Sequence, residues 1–276
     1  MLYALLTTLL GLQMRTNTTK QHLIARDPAL GIALTIADPF VAEVIGNANF
    51  DFVMIDTEHA PLTISELQTT LMALRTSDST TIVRTAANDP TIIKQVLDLG
   101  AEGIVVPDVI DRQSCLRAVQ AARYAPLGTR AFGPRRAARL EGGRPKYLAD
   151  ANDQILVIAM IEHVDALENL DEILTTPGLD GIMVGPADLA VSLGHLDSLN
   201  HPEVGAAIDR VYAACERNKF PFGIFAAAEE SARRWVDRGA VFVNIGADVQ
   251  FLDQGITRCK ALRKDLAGRS AAKTGG

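Results

Sequence analysis

Cysteine is scarce in this chain of 276 residues. There are three, Cys115, Cys215 and Cys259, widely separated and odd in number, with no CxxC spacing. That excludes a disulfide framework and a thiolate metal site, and it fits a reducing cytoplasm. An excess of basic charge is also lacking. The formal net charge is −6, which argues against nucleic acid as a main partner. The apolar opening "MLYALLTTLLGLQ" has neither the positively charged n-region nor the small-residue cleavage site of a signal peptide. It is also too short to span a bilayer, so no membrane partner is expected. It reads as an over-long start or a loosely packed extra segment. Neither GxGxxG nor GxxxxGK[ST] occurs, so a Rossmann dinucleotide site and a P-loop have no support.

What is present is apolar residue in quantity: 48% hydrophobic against 22% charged, enough for a sizeable core. It is organised as one repeated alternation. Apolar runs at 31–36, 51–59, 81–86, 103–109, 155–163, 181–184, 220–227 and 241–248 are each followed by a helical pattern. The runs show almost no polar alternation, as parallel strands covered on both faces require. Helical crossovers between them force parallel pairing. Eight such units without a break in composition predict an α/β fold, a (β/α)8 TIM barrel. An open doubly wound sheet is the alternative. The boundaries are an N-terminal extension over 1–27, a single barrel domain over 28–268 and a disordered tail over 269–276.

In a barrel the chemistry sits where the strands end. The polar residues there are Asp56, Glu58 and His59 after strand two, Arg84 on strand three, Asp108 after strand four, Glu162 and His163 after strand five, Asp188 after strand six, and Asn244 and Asp248 on strand eight. Glu162 and Asp188 each read alone as a helix cap or first-turn acid. At the same end of neighbouring strands they suit a shared divalent cation of the Mg or Mn type. Arg84 in an apolar strand needs an anion, and its fork fits a carboxylate. His59 alone is as often structural as a base. Asp98, on the helix after strand three, is either a surface charge or the group that orients a histidine. The run "GTRAFGPRRAARLEGGRPK" (128–146) carries five arginines and a lysine against one acid. It reads equally as a solvated loop, a salt-bridged subunit contact or a lure for anionic substrates. A Schiff-base aldolase needs a lysine at a strand end, and none of the seven lysines is there.

The stretches "IDTEHAPLT", "VRTAANDPTIIKQVLDLGAEGIVVPDV", "RYAPLGTRAFG", "DGIMVGPADLAVSLG", "HPEV" and "GAVFVNIGAD" resemble the HpcH/HpaI family of class II pyruvate aldolases over roughly residues 28–265. Hydroxy-oxo-heptanedioate aldolases and keto-deoxy sugar acid aldolases are members. The resemblance implies a phosphoenolpyruvate/pyruvate-type barrel, a carbon–carbon lyase that assembles as a homo-hexamer with an exchanged terminal helix. It implies a divalent cation (Mg, Mn or Co) on Glu162 and Asp188, with Arg84 on pyruvate and the Gly185, Pro186, Ala187 and Asp188 backbone receiving the carboxylate. His59 would be the base, Asp98 its support, and Asp56 would lie near the metal's waters. The substrates would be pyruvate, or another 2-oxo acid, and an aldehyde. A citrate-lyase-like or malyl-thioester lyase acting on a CoA ester is the alternative reaction. Two departures stand out. Met160-Ile161-Glu162-His163 replaces the family's Gln-Ile-Glu-Thr, which places Met160 and His163 among the expected substrate-lining residues, and Ala190 replaces a serine.

Overall fold

The computed structural model describes residues 14–196, 198, 201–226 and 228–274, with side chains described as far as residue 267. The apolar stretch 1–13, read above as an extra segment, lies outside the described residues. Eight strands close into a parallel barrel in chain order. They are β1 (Ala29–Leu34), β2 (Phe52–Asp56), β3 (Thr80–Arg84), β4 (Gly103–Val106), β5 (Leu156–Ile161), β6 (Gly181–Val184), β7 (Phe222–Phe225) and β8 (Phe242–Ala247). The barrel reading therefore holds and the open sheet does not.

Two apolar layers fill the fold, as a sheet covered on both faces demands. Inside the barrel, Phe52, Met54, Ile82, Val105, Ile158, Met160, Met183 and Phe242 form one buried cluster. Phe52 and Phe242 stack with ring centroids 4.2 Å apart. This pair fits only because β1 carries Gly31 beside it. A Cβ there would lie 2.3 Å from a Phe52 ring carbon. The outer layer lies between the strands and the surrounding helices.

The helices start where local chemistry starts them. Asp38 and Asp89 accept backbone N–H bonds at the heads of α2 (Pro39–Gly46) and α4 (Pro90–Asp98), each with Pro at the first helical position. Thr63 and Glu66 form a reciprocal capping box at α3 (Ile64–Ala73), and Asp111 with Ser114 does the same at α5 (Arg112–Ala122). Two further helices, α6 (Arg135–Leu140) and α7 (Arg144–Gln154), stand inside and after the basic run that was read as a loop. The stretch after β5 divides into α8 (Val164–Glu168) and α9 (Leu170–Leu174). α10 (Pro186–Ser192) follows β6, then α11 (Pro202–Asn218), and α12 (Glu229–Asp237) follows β7. The last helix, α13 (Asp248–Thr274), runs through most of the segment expected as a disordered tail.

The N-terminal end of the barrel is stoppered by a short helix, α1 (Thr18–Ala25). Asn17 donates to the Glu102 carbonyl and Thr19 to the Asp51 carbonyl, both just ahead of strands. Lys20 reaches the Ile155 carbonyl and pairs with Asp180 at 3.0 Å. Leu23, 2% exposed, joins the barrel's interior cluster. With that end closed, the mouth left open among the described residues is at the strands' C-terminal ends.

Candidate active site

Asp56 and Arg84 are the last residues of β2 and β3, and the register of the two strands places them side by side. Arg84 donates from Nε to Asp56 Oδ1 at 2.9 Å and from a terminal nitrogen to Oδ2 at 2.6 Å, a two-pronged fork. Asp56 also accepts the backbone N–H groups of Glu58 and His59. Burial opposes its charge, but the Arg84 hydrogen bonds and charge and those two N–H groups outweigh burial. They hold the Asp56 carboxyl below the usual range. The immediate anion for Arg84 is thus a side chain of this protein. Single-strand patterning hid this, because it does not show which residues face each other across strands. Only part of the guanidinium is used up. Its other terminal nitrogen lies 3.3 Å from Glu58 Oε2.

Glu58 proves to be a member of the site. Its Oε2 is buried and has no hydrogen-bond donor beyond that ion pair. Glu162, directly after β5, accepts the Asp108 N–H on Oε1 at 3.1 Å. Asp108 reaches this position with a left-handed backbone, φ 57°. Burial pushes the Glu162 carboxyl up to about 7, with the Glu58 and Asp188 charges adding to it against the Asp108 N–H. Burial likewise lifts Glu58 to about 7, with Arg84 opposing and Asp56, Asp188 and Asp108 contributing. Three carboxylates therefore crowd one mouth, and their mutual repulsion is what a divalent cation relieves.

Gly185 opens the other wall. A Cβ there would meet Met160 Cε at 3.0 Å and Glu162 Oε2 at 3.1 Å, so glycine keeps space in front of the Glu162 oxygen. Pro186, Ala187 and Asp188 form the first turn of α10. There the N–H groups of Ala187 and Asp188 have no intrahelical acceptor, a setting suited to an anion. The donor set offered by the carboxylates that interact here, Glu58, Glu162 and Asp188, is all oxygen. It fits a hard divalent cation that completes its shell with water and substrate oxygens.

The other expected residues divide. His59 sits at the rim, its side chain 60% exposed, with Nε2 3.8 Å from Glu58 Oε2. Met160 is 2% exposed inside the barrel, against Gly185. His163 turns away to cap α8, where its ring Nδ1 accepts the Asp165 N–H at 3.2 Å. Asp98 is not brought to His59 within the chain. It lies at the C-terminal end of α4, which runs back from the mouth to the opposite end of the barrel. There it pairs with Arg130 at 2.7 Å. Asp248, at the end of β8, accepts the N–H groups of Thr35 and Ile36 and the Thr35 hydroxyl. It fastens the seam between β8 and β1 and has a structural role.

A family profile described as HpcH/HpaI aldolase/citrate lyase matches residues 30–254. The chain belongs to this family. Among curated members, the 5-keto-4-deoxy-D-glucarate aldolase of Escherichia fergusonii is 39% identical over 242 residues, 88% of this chain and 94% of that protein. The enzyme of the same name from Citrobacter koseri is 40% identical, over 84% of this chain and 91% of its own length. Among solved structures, an HpcH/HpaI aldolase/citrate lyase family protein from Burkholderia cenocepacia superposes with a TM-score of 0.85 at 33% identity. It covers 90% of this chain and all of that one. The HpcH/HpaI member described here is accordingly an aldolase, a carbon–carbon lyase of small-molecule substrates. No helix among the described residues is long and apolar enough to cross a membrane.

Proposed function

We propose that this aldolase cleaves, or in reverse forms, 4-hydroxy-2-oxo acids of the keto-deoxy sugar acid class, with the enolate of pyruvate as the carbon nucleophile and an aldehyde as the partner. The observation that carries the proposal is that Arg84, Glu58 and Asp188 all act electrostatically on Glu162 at one mouth: a fixed positive charge near an oxygen donor set. The names of the relatives support the substrate class.

Glu162 and Asp188 would hold a divalent cation (Mg, Mn or Co), with Glu58 positioned to accept hydrogen bonds from its waters. When bound, the cation supplies Lewis-acid polarisation of the substrate's 2-oxo group. Asp56 holds Arg84 by the fork, and the remaining guanidinium nitrogen, beside Glu58, is the one that would stabilise negative charge developing on the 2-oxo oxygen. The N–H groups at the head of α10 receive the carboxylate. In the cleavage direction the C4 hydroxyl loses its proton to the base system around His59. The C3–C4 bond breaks, its electron pair passes to the pyruvyl fragment, and the aldehyde departs. C3 then takes a proton back to give pyruvate. Imidazole is the side chain suited to moving a proton near neutral pH, and the exposed rim position lets His59 exchange it with water. Met160 and His163 remain the proposed source of a different acceptor range, Met160 directly at Gly185 and His163 from the rim.

The proposed assembly is a homo-oligomer, a hexamer by family resemblance. Its support here is α13, which exposes Phe251, Leu252, Ile256, Leu262 and Leu266 along its length. An aldehyde panel with pyruvate, run with and without chelator, tests the function. Activity that survives full chelation overturns the proposed metal dependence.

A further inference from the structure

One cluster of metal-ligating side chains lies outside the site described above. Among the described residues, the three-residue group with ligand atoms within 4.8 Å of one another is His195, His201 and Glu203. His195 Nε2 lies 2.5 Å from Glu203 Oε2, and His201 Nδ1 lies 3.9 Å from the same oxygen. The two imidazole rings stack with centroids 3.5 Å apart and planes 19° from parallel. Each side chain also has an ordinary local role. His201 heads α11, its ring accepting the Glu203 N–H at 3.3 Å, and His195 forms an ion pair with Glu203 when protonated.

Those roles do not account for the stack. Two imidazoles face to face at 3.5 Å cannot both carry a proton's charge without strong repulsion, and one carboxylate offsets only one of them. With both rings neutral, each can offer one nitrogen lone pair beside the carboxylate oxygen, His201 Nδ1 giving up the Glu203 N–H to do so. The donors are reachable, with side-chain exposures of 21%, 38% and 66% for His195, His201 and Glu203. Two nitrogens and one oxygen, with an open side for water, is a ligand set for Zn or its transition-metal neighbours. It contrasts with the all-oxygen set of Glu162 and Asp188.

We propose that His195, His201 and Glu203 form a second, transition-metal site, separate from the one at the barrel mouth. Its position gives it a consequence. His195 follows α10, whose first turn carries Asp188, and His201 begins α11. An ion held by both would tie the end of α10 to the start of α11 and steady the helix on which the substrate's carboxylate is expected to sit. Neither the existence of this site nor its test depends on the proposed reaction.

The test is zinc titration of the full chain, stripped of metal, against a competing chromogenic chelator, with excess magnesium present to occupy the oxygen site. The unsubstituted protein should take up one equivalent of zinc that His195→Ala and His201→Ala each lose. Glu162→Gln/Asp188→Asn should retain that equivalent. Cobalt(II) should give intense visible bands of a low-coordinate nitrogen–oxygen site that vanish in His201→Ala. Glu203→Gln, a milder change at an exposed position, should weaken zinc binding at least tenfold, and it guards against misfolding of the histidine variants. Zinc stoichiometry and cobalt spectrum unchanged in both histidine variants would overturn the proposal. So would loss of the equivalent in Glu162→Gln/Asp188→Asn alone.

Discussion

At the scale of single residues, the site depends on how Arg84 is held. Lysine retains the charge but not the fork that clasps Asp56. Arg84→Lys should lower kcat/KM by about 1.5–3 kcal/mol, the worth of a charge-assisted contact, while the fold persists; steady-state kinetics with circular dichroism checks it. The carboxylates make a second prediction. Glu58 and Glu162 titrate near 7 in the folded, metal-free protein, above their unfolded value of 4.5. A raised carboxyl favours the folded state when protonated. That contribution is complete below about 4.5 and is lost as pH rises through about 7. The melting temperature of the chelated protein should therefore fall across this window. Added magnesium or manganese, which binds the ionised form, should oppose the fall. A melting curve indifferent to metal above neutral pH contradicts this. At this scale the sequence showed which residue types end each strand, so Arg84, Glu162 and Asp188 were legible. The Asp56–Arg84 pairing was not, because it depends on register between strands, and neither was the part played by Glu58, which depends on burial.

At the scale of elements, the strands were legible because burial on both faces removes polar residues from them altogether. The helices within the basic run were not, since α6 has neither a side-chain cap nor an apolar stripe long enough to register as periodic. The surroundings of Asp98 were hidden for a related reason. Its place on α4 was visible, but a helix following a strand returns to the far end of the barrel and carries its C-terminal residues away from the mouth. Two elements invite tests. The α1 stopper buries Leu23 in the barrel interior. Leu23→Ala should destabilise by about 2–5 kcal/mol in denaturant melts without changing the catalytic constants of the folded fraction. At the mouth, Gly185→Ala would press a methyl group on Met160 Cε and Glu162 Oε2. Metal affinity should drop with stability little changed, and Met160→Ala in the same chain should restore part of it. Isothermal titration with manganese distinguishes these outcomes.

At the scale of the whole molecule, a closed barrel with one end stoppered leaves one entrance among the described residues, and Asp56, Glu58, Arg84 and Glu162 meet there. Glu58, Glu162 and Asp188 crowd that entrance beside the Asp56–Arg84 pair, and nothing in the strand core requires them. Their crowding works against the folded protein until a cation is bound, as expected for groups kept for chemistry. The central claim is that this entrance generates the enolate of pyruvate with a metal, the Arg84 charge and a base at His59. It is tested most directly by proton exchange. Pyruvate alone, with no aldehyde, is incubated with the enzyme in heavy water and its methyl signal followed by proton NMR. The methyl protons should exchange for deuterium only with a divalent metal present, stop when chelator is added, slow sharply in His59→Ala, and be untouched by borohydride. Exchange that persists in chelator, or inactivation by borohydride in the presence of pyruvate, would contradict the account.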